Sequence, residues 1–366
     1  MMDGLDLLDA YGTTIKRIKA QDGDKSTLGM AALMWISHAE RPLRADELCH
    51  ALAVEPDSTE FDPDNVPLMS TLVGCCQGLI TVDKKASTVR LIHITLKEYL
   101  SSRPDIFSRP HSAMAEICLT YLNSGQVKAI SADPAPDIRD APFLEYCSVY
   151  WGVHAKRELS ECAKSLALQL LQQYDGHISS KLLLGQARHL YVKDFSISFR
   201  FNGLHCASFF GIVEVATALI EMRIYGIEEG DFGGYTPLTW ASRNGHGEMV
   251  KMLLGRGVVD PDKPDNSGQT PLSRAAGEGR EAVVQLLLKQ IGVNPNRPNN
   301  DGLTPLSCAA RNGHEGVVKI LLGCEDVNPD KPNSVGVTPL MFAAKYGHQR
   351  VTALLRPHET VTNDTI

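Results

Sequence analysis

No apolar run in this 366-residue chain approaches the roughly 18 residues that a membrane-spanning helix needs. The N-terminus, MMDGLDLLDA, carries acids where a signal peptide has a basic stretch and a long apolar core. Cations are in deficit: 36 Lys and Arg stand against 43 Asp and Glu, a formal net charge of −7. That removes any general attraction to nucleic acid or anionic lipid, and neither is expected as a partner. No C-x-x-C occurs among the nine cysteines, and their number is odd. Most stand among apolar helical residues, where a free thiol behaves as a small hydrophobe. This argues against a disulfide scaffold and for a reducing compartment, the cytosol or nucleus. The vicinal pair Cys75–Cys76 has no His or further Cys at ligand spacing, so no metal is expected. A G-x-S-x-G nucleophile elbow is missing too, and with it any basis for lipase chemistry.

The stretch AQDGDKST (residues 20–27) comes nearest to a phosphate-binding loop. Such a loop is G-x-x-x-x-G-K-[ST], in which backbone N–H groups cradle phosphates. Here Asp24 separates Gly23 from Lys25, no glycine stands near position 18, and the preceding segment is charged and helical. A carboxylate in the turn would also repel phosphate. The stretch reads as a solvated turn between two helices, and no cofactor is expected.

What the sequence does contain is a repeat. TPLTWASRNGHGEMVKMLL begins at Thr236, TPLSRAAGEGREAVVQLLL at Thr270, TPLSCAARNGHEGVVKILL at Thr304 and TPLMFAAKYGHQRVTALL at Thr338. Each start follows the last by 34 residues, and one more step back reaches Asn202 in NGLHCASFFGIVEVATALI. Five copies in phase predict a helical solenoid. Thr304 suits a helix N-cap and Pro305 the first helical position, while Gly313 suits the left-handed residue that ends a short helix. Val317, Val318, Ile320, Leu321 and Leu322 then supply a second helix that packs between copies.

The T-P-L opening and later Gly-His resemble the ankyrin repeat, lengthened by one residue in its loop. The match covers residues 199–356. The His that usually follows T-P-L is kept only at His205; Thr239, Ser273, Ser307 and Met341 replace it, which predicts a weakened hydrogen bond there. No polar cap follows the last copy, so the end frays or the natural array is longer. The resemblance implies a protein-binding scaffold with a surface of loop tips and first helices. Its variable positions are Phe232, Tyr235, Arg243 and Asn244; Asn266, Gln269 and Glu278; Asn300, Leu303, Arg311 and Asn312; and Val335, Val337, Lys345 and Tyr346. Phe209 and Phe210 hold the equivalent place in the first copy, where packing on the preceding helical domain is expected.

The first half reads as three helices, an alternating hairpin (LITVDKKASTVRLIHI) and a closing helix with a Thr95/Glu98 capping box. That is a winged helix over residues 27–103. Residues 66–77, where a DNA-reading helix would lie, hold no Lys or Arg, so DNA binding is not expected. A helix over residues 1–22 has Leu8, Tyr11, Ile15 and Ile18 as its apolar stripe. Residues 110–190 form a helical linker and capping domain, in which Phe143, Tyr146, Cys147, Tyr150, Trp151 and His154 recur at helical spacing. Residues 357–366 are expected to be a disordered tail. The fold class is mainly α: winged helix, helical linker domain and ankyrin solenoid.

The wording ALMWISHAERPLRADELCHALAVE, LVGCCQGLITVDKKASTVRLIHITLKEYLS and PFLEYCSVYWGVHAKRELS is similar to the region after the ATPase domain in fungal NACHT–ankyrin proteins, relatives of NOD-like receptors. Their winged helix is also named after GPI inositol-deacylase, a name that carries no chemistry here. LDLLDAYGTTIKRIKAQ resembles the last helix of the ATPase module, so the chain reads as a member lacking that module. In such receptors a winged-helix His contacts the phosphate of bound ADP, and His93 matches its position. The resemblance implies a non-enzymatic interaction scaffold. The alternative is the regulatory tail of a nucleotide-dependent switch whose P-loop lies upstream or in another chain.

Overall fold

The structure, a computed structural model, describes residues 4–55, 58, 60–130, 138–187 and 200–356. The chain divides into two compact units, Met1–Ile197 and Ser198–Ile366. The expected tail, 357–366, lies outside the described residues, as does part of the Pro-rich loop before Ala141.

The first unit opens with α1 (Gly4–Lys19), which buries Tyr11, Ile15 and Ile18 on one face. Leu8, expected in that stripe, is instead exposed. Next, α2 (Gly23–His38) starts at Gly23, so GDKST is the first turn of a helix and not a turn between helices. The Lys25 amide donates to the Asp22 carbonyl at 2.9 Å, and Asp24 lies where the helix dipole favours an acid.

Then come α3 (Ala45–Ala53) and α4 (Met69–Cys75), followed by an antiparallel hairpin. In it β1 (Ile80–Asp83) pairs with β2 (Thr88–Leu91), Ile80 opposite Leu91 and Asp83 opposite Thr88. The Val89 amide donates to the Leu43 carbonyl at 2.9 Å, so the segment before α3 runs beside β2. The closing helix is α5 (Ile94–Ser101). Three helices, this hairpin and a closing helix make a winged helix.

Four of the remaining helices, α6 (Pro110–Asn123), α8 (Leu144–Arg157), α9 (Glu161–Leu171) and α10 (Ile178–Ala187), pack together, with α7 (Gly125–Lys128) a short turn after α6. The recurring aromatics of α8 are core: Phe143, Tyr146 and Trp151 are fully buried. Trp35 of α2 meets Phe143 and Tyr146 edge-on, at 5.4 and 5.8 Å between centroids. That contact joins the winged helix to the helical segment. A buried ion pair reinforces the joint: Arg41 grips Glu47 through two bonds of 2.7 and 2.8 Å while its guanidinium lies over the Tyr146 ring.

The second unit holds five helix pairs: α11 (Gly203–Phe210) with α12 (Val213–Glu221), α13 (Pro237–Asn244) with α14 (Gly247–Leu254), α15 (Pro271–Gly277) with α16 (Glu281–Leu288), α17 (Pro305–Asn312) with α18 (Glu315–Leu322), and α19 (Pro339–Lys345) with α20 (Gln349–Leu355). The first helices pack in one row and the second helices in another. Leu238, Leu272 and Leu306 are buried at equivalent places, as are the pairs Val283–Val284 and Val317–Val318. No helix among the described residues is long and apolar enough to cross a membrane.

Candidate functional site

Each first helix is fixed at its start by a side chain. Thr236, Thr270 and Thr304 accept the amide of the residue three positions on, each at 3.2 Å. The loss of His after T-P-L does not leave these caps weak. Thr239 and Ser307 each set a hydroxyl 3.0 Å from the cap hydroxyl, and Ser273 accepts from Thr270 at 3.3 Å. Only Met341 has no such group. In the first copy Asn202 is the cap, its own amide donates to His205 Nδ1 at 3.2 Å, and His205 Nε2–H reaches the Glu229 carbonyl at 2.8 Å. Burial lowers the His205 pKa, which keeps this one neutral tautomer.

After each first helix but that of the first copy, a side chain ties back to the preceding copy, Arg280 Nε to the Arg243 carbonyl at 3.0 Å in the third. Asn244 Nδ2 and His246 Nε2 both donate to the Phe209 carbonyl, at 2.9 and 2.8 Å. Asn312 and His314 repeat this on the Gly277 carbonyl at 2.6 and 2.8 Å, and His348 does so on Arg311 at 3.0 Å. The loop tips form a second ladder. Asn266 Nδ2 donates to the Phe232 carbonyl at 2.9 Å, and Asn300 Nδ2 to the Asn266 carbonyl at 3.1 Å.

These ladders decide what the expected surface positions can do. Tyr235 and Leu303 are inside the stack, 9% and 5% exposed, and are not free anchors. Tyr235 lies against Trp240 at 4.9 Å with the Arg274 guanidinium over its ring at 4.6 Å. Leu303 packs with Cys308, Phe342 and half-buried Val337. The side chains of Asn244, Asn266, Asn300 and Asn312 are spent on the ladders. Gln269 is half-buried, and Arg243 pairs with Glu278 at 3.1 Å while lying 5.7 Å from the Trp240 ring centre. What stands out from the surface is Phe232 (56% exposed), Val335 (79%) and Tyr346 (52%), with Arg311 and Lys345 also exposed. Phe209, expected on the helical domain, packs on Trp240 of the next copy at 5.5 Å.

The sequence reading missed one column of this face. Trp240, Arg274, Cys308 and Phe342 occupy one register position, four residues after the cap. Alignment at 34 residues shows that position varying most in chemistry, which was the available signal. Asp265 holds Arg274 with bonds of 2.8 and 2.5 Å. Burial pushes the Cys308 thiol up to about 11, so it is not a nucleophile at neutral pH.

The two rows differ in charge: the second helices carry both signs, with Lys251, Lys319 and Arg350 beside their acids. Every Asp, Glu, Lys or Arg in the five first helices is a cation: Arg243, Arg274, Arg311 and Lys345. Glu214, Glu248, Glu281 and Glu315 open four of the second helices. Arg243 and Arg274 are paired with Glu278 and Asp265, so the exposed cations of this row are Arg311 and Lys345.

His93 is exposed and caps α5: the Thr95 amide donates to its Nδ1 at 3.2 Å. The expected Thr95/Glu98 box does not form, because Ile94 already begins the helix. Thr95 Oγ1 lies instead 2.8 Å from His93 Nδ1 and 2.9 Å from Tyr11 Oη. His93 edges a cavity of about 300 Å³ also lined by Arg41, Arg90 and Lys97.

Comparison with known families finds two matches, the first of which begins within the first unit. The ankyrin-repeat profile matches residues 168–265, 204–299, 255–332 and 291–365, together more than half of the chain. A second profile, the winged-helix domain of GPI inositol-deacylase, matches residues 17–112. No curated protein matches the chain.

Proposed function

Because the chain belongs to the ankyrin-repeat family, we propose that it works without catalysis, as a scaffold whose first-helix row and loop tips recognise a protein partner. The observation that carries this reading is the division of labour on that face. Most polar side chains are consumed in holding the stack, whereas the side chains of Phe232, Arg311, Lys345 and Tyr346 stand exposed on it. Aromatic and Arg side chains are the usual anchors of interfaces. The test is affinity capture with the intact chain and with a Phe232→Ala/Tyr346→Ala variant that melts at the same temperature. Proteins that cross-link to the first and are lost from the second support the reading. Equal recovery by both sinks it.

The winged helix and the aromatic helical segment support a narrower reading, that the chain is related to the fungal NACHT–ankyrin receptor group. A second reading, the regulatory tail of a nucleotide-dependent switch, is favoured by the place of His93 at a cavity with three cationic neighbours. It predicts that ADP affinity appears once an ATPase module is supplied and falls on His93→Ala. Titration of ADP into the mixture, read by calorimetry, tests it; unchanged affinity in the variant removes it.

A further inference from the structure

We propose that Glu40, His111 and His154 form a binding site for a divalent transition metal of the zinc class, clipping together the turn after α2, the start of α6 and the end of α8. The donor atoms of the three residues lie within 4.8 Å of one another. They come from three distant stretches of sequence, which is why ligand spacing gave no warning. The two imidazoles face each other, Nδ1 to Nδ1 at 2.9 Å, with rings only 24° from parallel. Glu40 is held in place by both terminal nitrogens of Arg157.

The surroundings are those of a metal site with its outer partners set. Metal-bound His commonly uses its other ring nitrogen in a hydrogen bond that fixes tautomer and orientation. His154 does so, its Nε2 lying 2.9 Å from Tyr146 Oη. The same phenol oxygen accepts the Glu40 backbone amide at 3.2 Å, so one buried group orients His154 and anchors the main chain that carries Glu40. With Nε2–H on His154, Tyr146 Oη accepts twice and the His154 Nδ1 lone pair faces the cluster. Two His and a carboxylate leave one of four tetrahedral positions for solvent. Glu40 and His111 also line a cleft of about 810 Å³, which opens the cluster to solvent.

Without metal, the two imidazoles share one proton between their Nδ1 atoms. Taking up the ion moves that proton from Nδ1 to Nε2 of His111, so both imidazoles stay neutral and no net proton is released at neutral pH. Bonds of about 2.0 Å at tetrahedral angles require the nitrogens to part from 2.9 Å to about 3.3 Å, a small rotation of half-buried His111.

The experiment uses the intact chain stripped with EDTA at pH 7.5. Zinc chloride is titrated calorimetrically, and cobalt chloride is followed by visible absorption. The expected result is one saturable site per chain, with tetrahedral cobalt bands and no thiolate charge-transfer band in the near ultraviolet. His111→Ala and Glu40→Gln each weaken zinc binding by at least ~10-fold. Thermal melts of both variants, which keep buried His154, check that the fold is retained. No saturable uptake below millimolar zinc overturns the site, as does a thiolate band or unchanged affinity in His111→Ala.

Discussion

Glu47 is fully buried and takes two bonds from Arg41 and a third from the Arg44 amide at 2.8 Å. Removing the acid strands a guanidinium that is itself mostly covered. Glu47→Ala is therefore expected to destabilise the first unit by about 3 kcal/mol, read as a shift in urea midpoint. His177 gives a pH prediction. Its Nδ1 accepts the Ser179 amide at 3.2 Å and its Nε2–H donates to the Leu122 carbonyl at 3.1 Å. Burial lowers its pKa from 6.5 to about 4. The unfolded chain takes up the proton first as pH falls, so stability is full above pH 6.5 and lost toward pH 4. The loss from this residue is on the order of 3 kcal/mol, and His177→Gln should flatten the thermal-melt profile across that window. Individual roles like these were hidden in the sequence because they depend on distant partners. Tyr235 and Leu303 occupy variable positions by register, yet Trp240, Arg274 and Phe342 from other positions cover them.

Among the elements, helix starts and stops carried the clearest signal. Thr-Pro at four of the five first helices, and Gly245 and Gly313 after two of them, stand in the sequence and in the fold alike, the glycines with φ of +81° and +77°. Caps without a pattern were misread: His93 caps α5 where Thr95 was expected, and Gly23 begins a helix where a turn was expected. The loop glycines show why the rungs tolerate little change. Gly302 has φ of +80°, and a Cβ there would run into the Ser334 amide of the next loop. Gly302→Ala is expected to cost more than ~1 kcal/mol, from backbone strain and loss of the Ser334–Asp301 bond, in a urea titration. Asn312→Ala removes one rung bond while His314 still serves the Gly277 carbonyl. A loss of only about 1 kcal/mol is expected there, by the same measurement.

At the scale of the molecule, the period and the helical class were legible, because 34-residue phase and apolar spacing do not depend on tertiary detail. That the charged side chains of the first-helix row are all cations becomes visible only once the rows exist. It predicts that partner binding weakens as salt rises. Reversing Arg311 and Lys345 to Glu should lower affinity by at least ~10-fold while leaving the melting temperature nearly unchanged, since both side chains are exposed. Fluorescence anisotropy with a captured partner at two ionic strengths would show it; binding indifferent to the reversal would place the interface elsewhere.

Because each rung meets its neighbours through the same few bonds, the gene segment encoding one rung is a self-contained cassette. Excising Thr270 through Leu303 puts the Thr304 cap directly after Gln269, in frame and in register. Recombination between such segments would lengthen or shorten the recognition face in whole rungs while the residues on it vary separately.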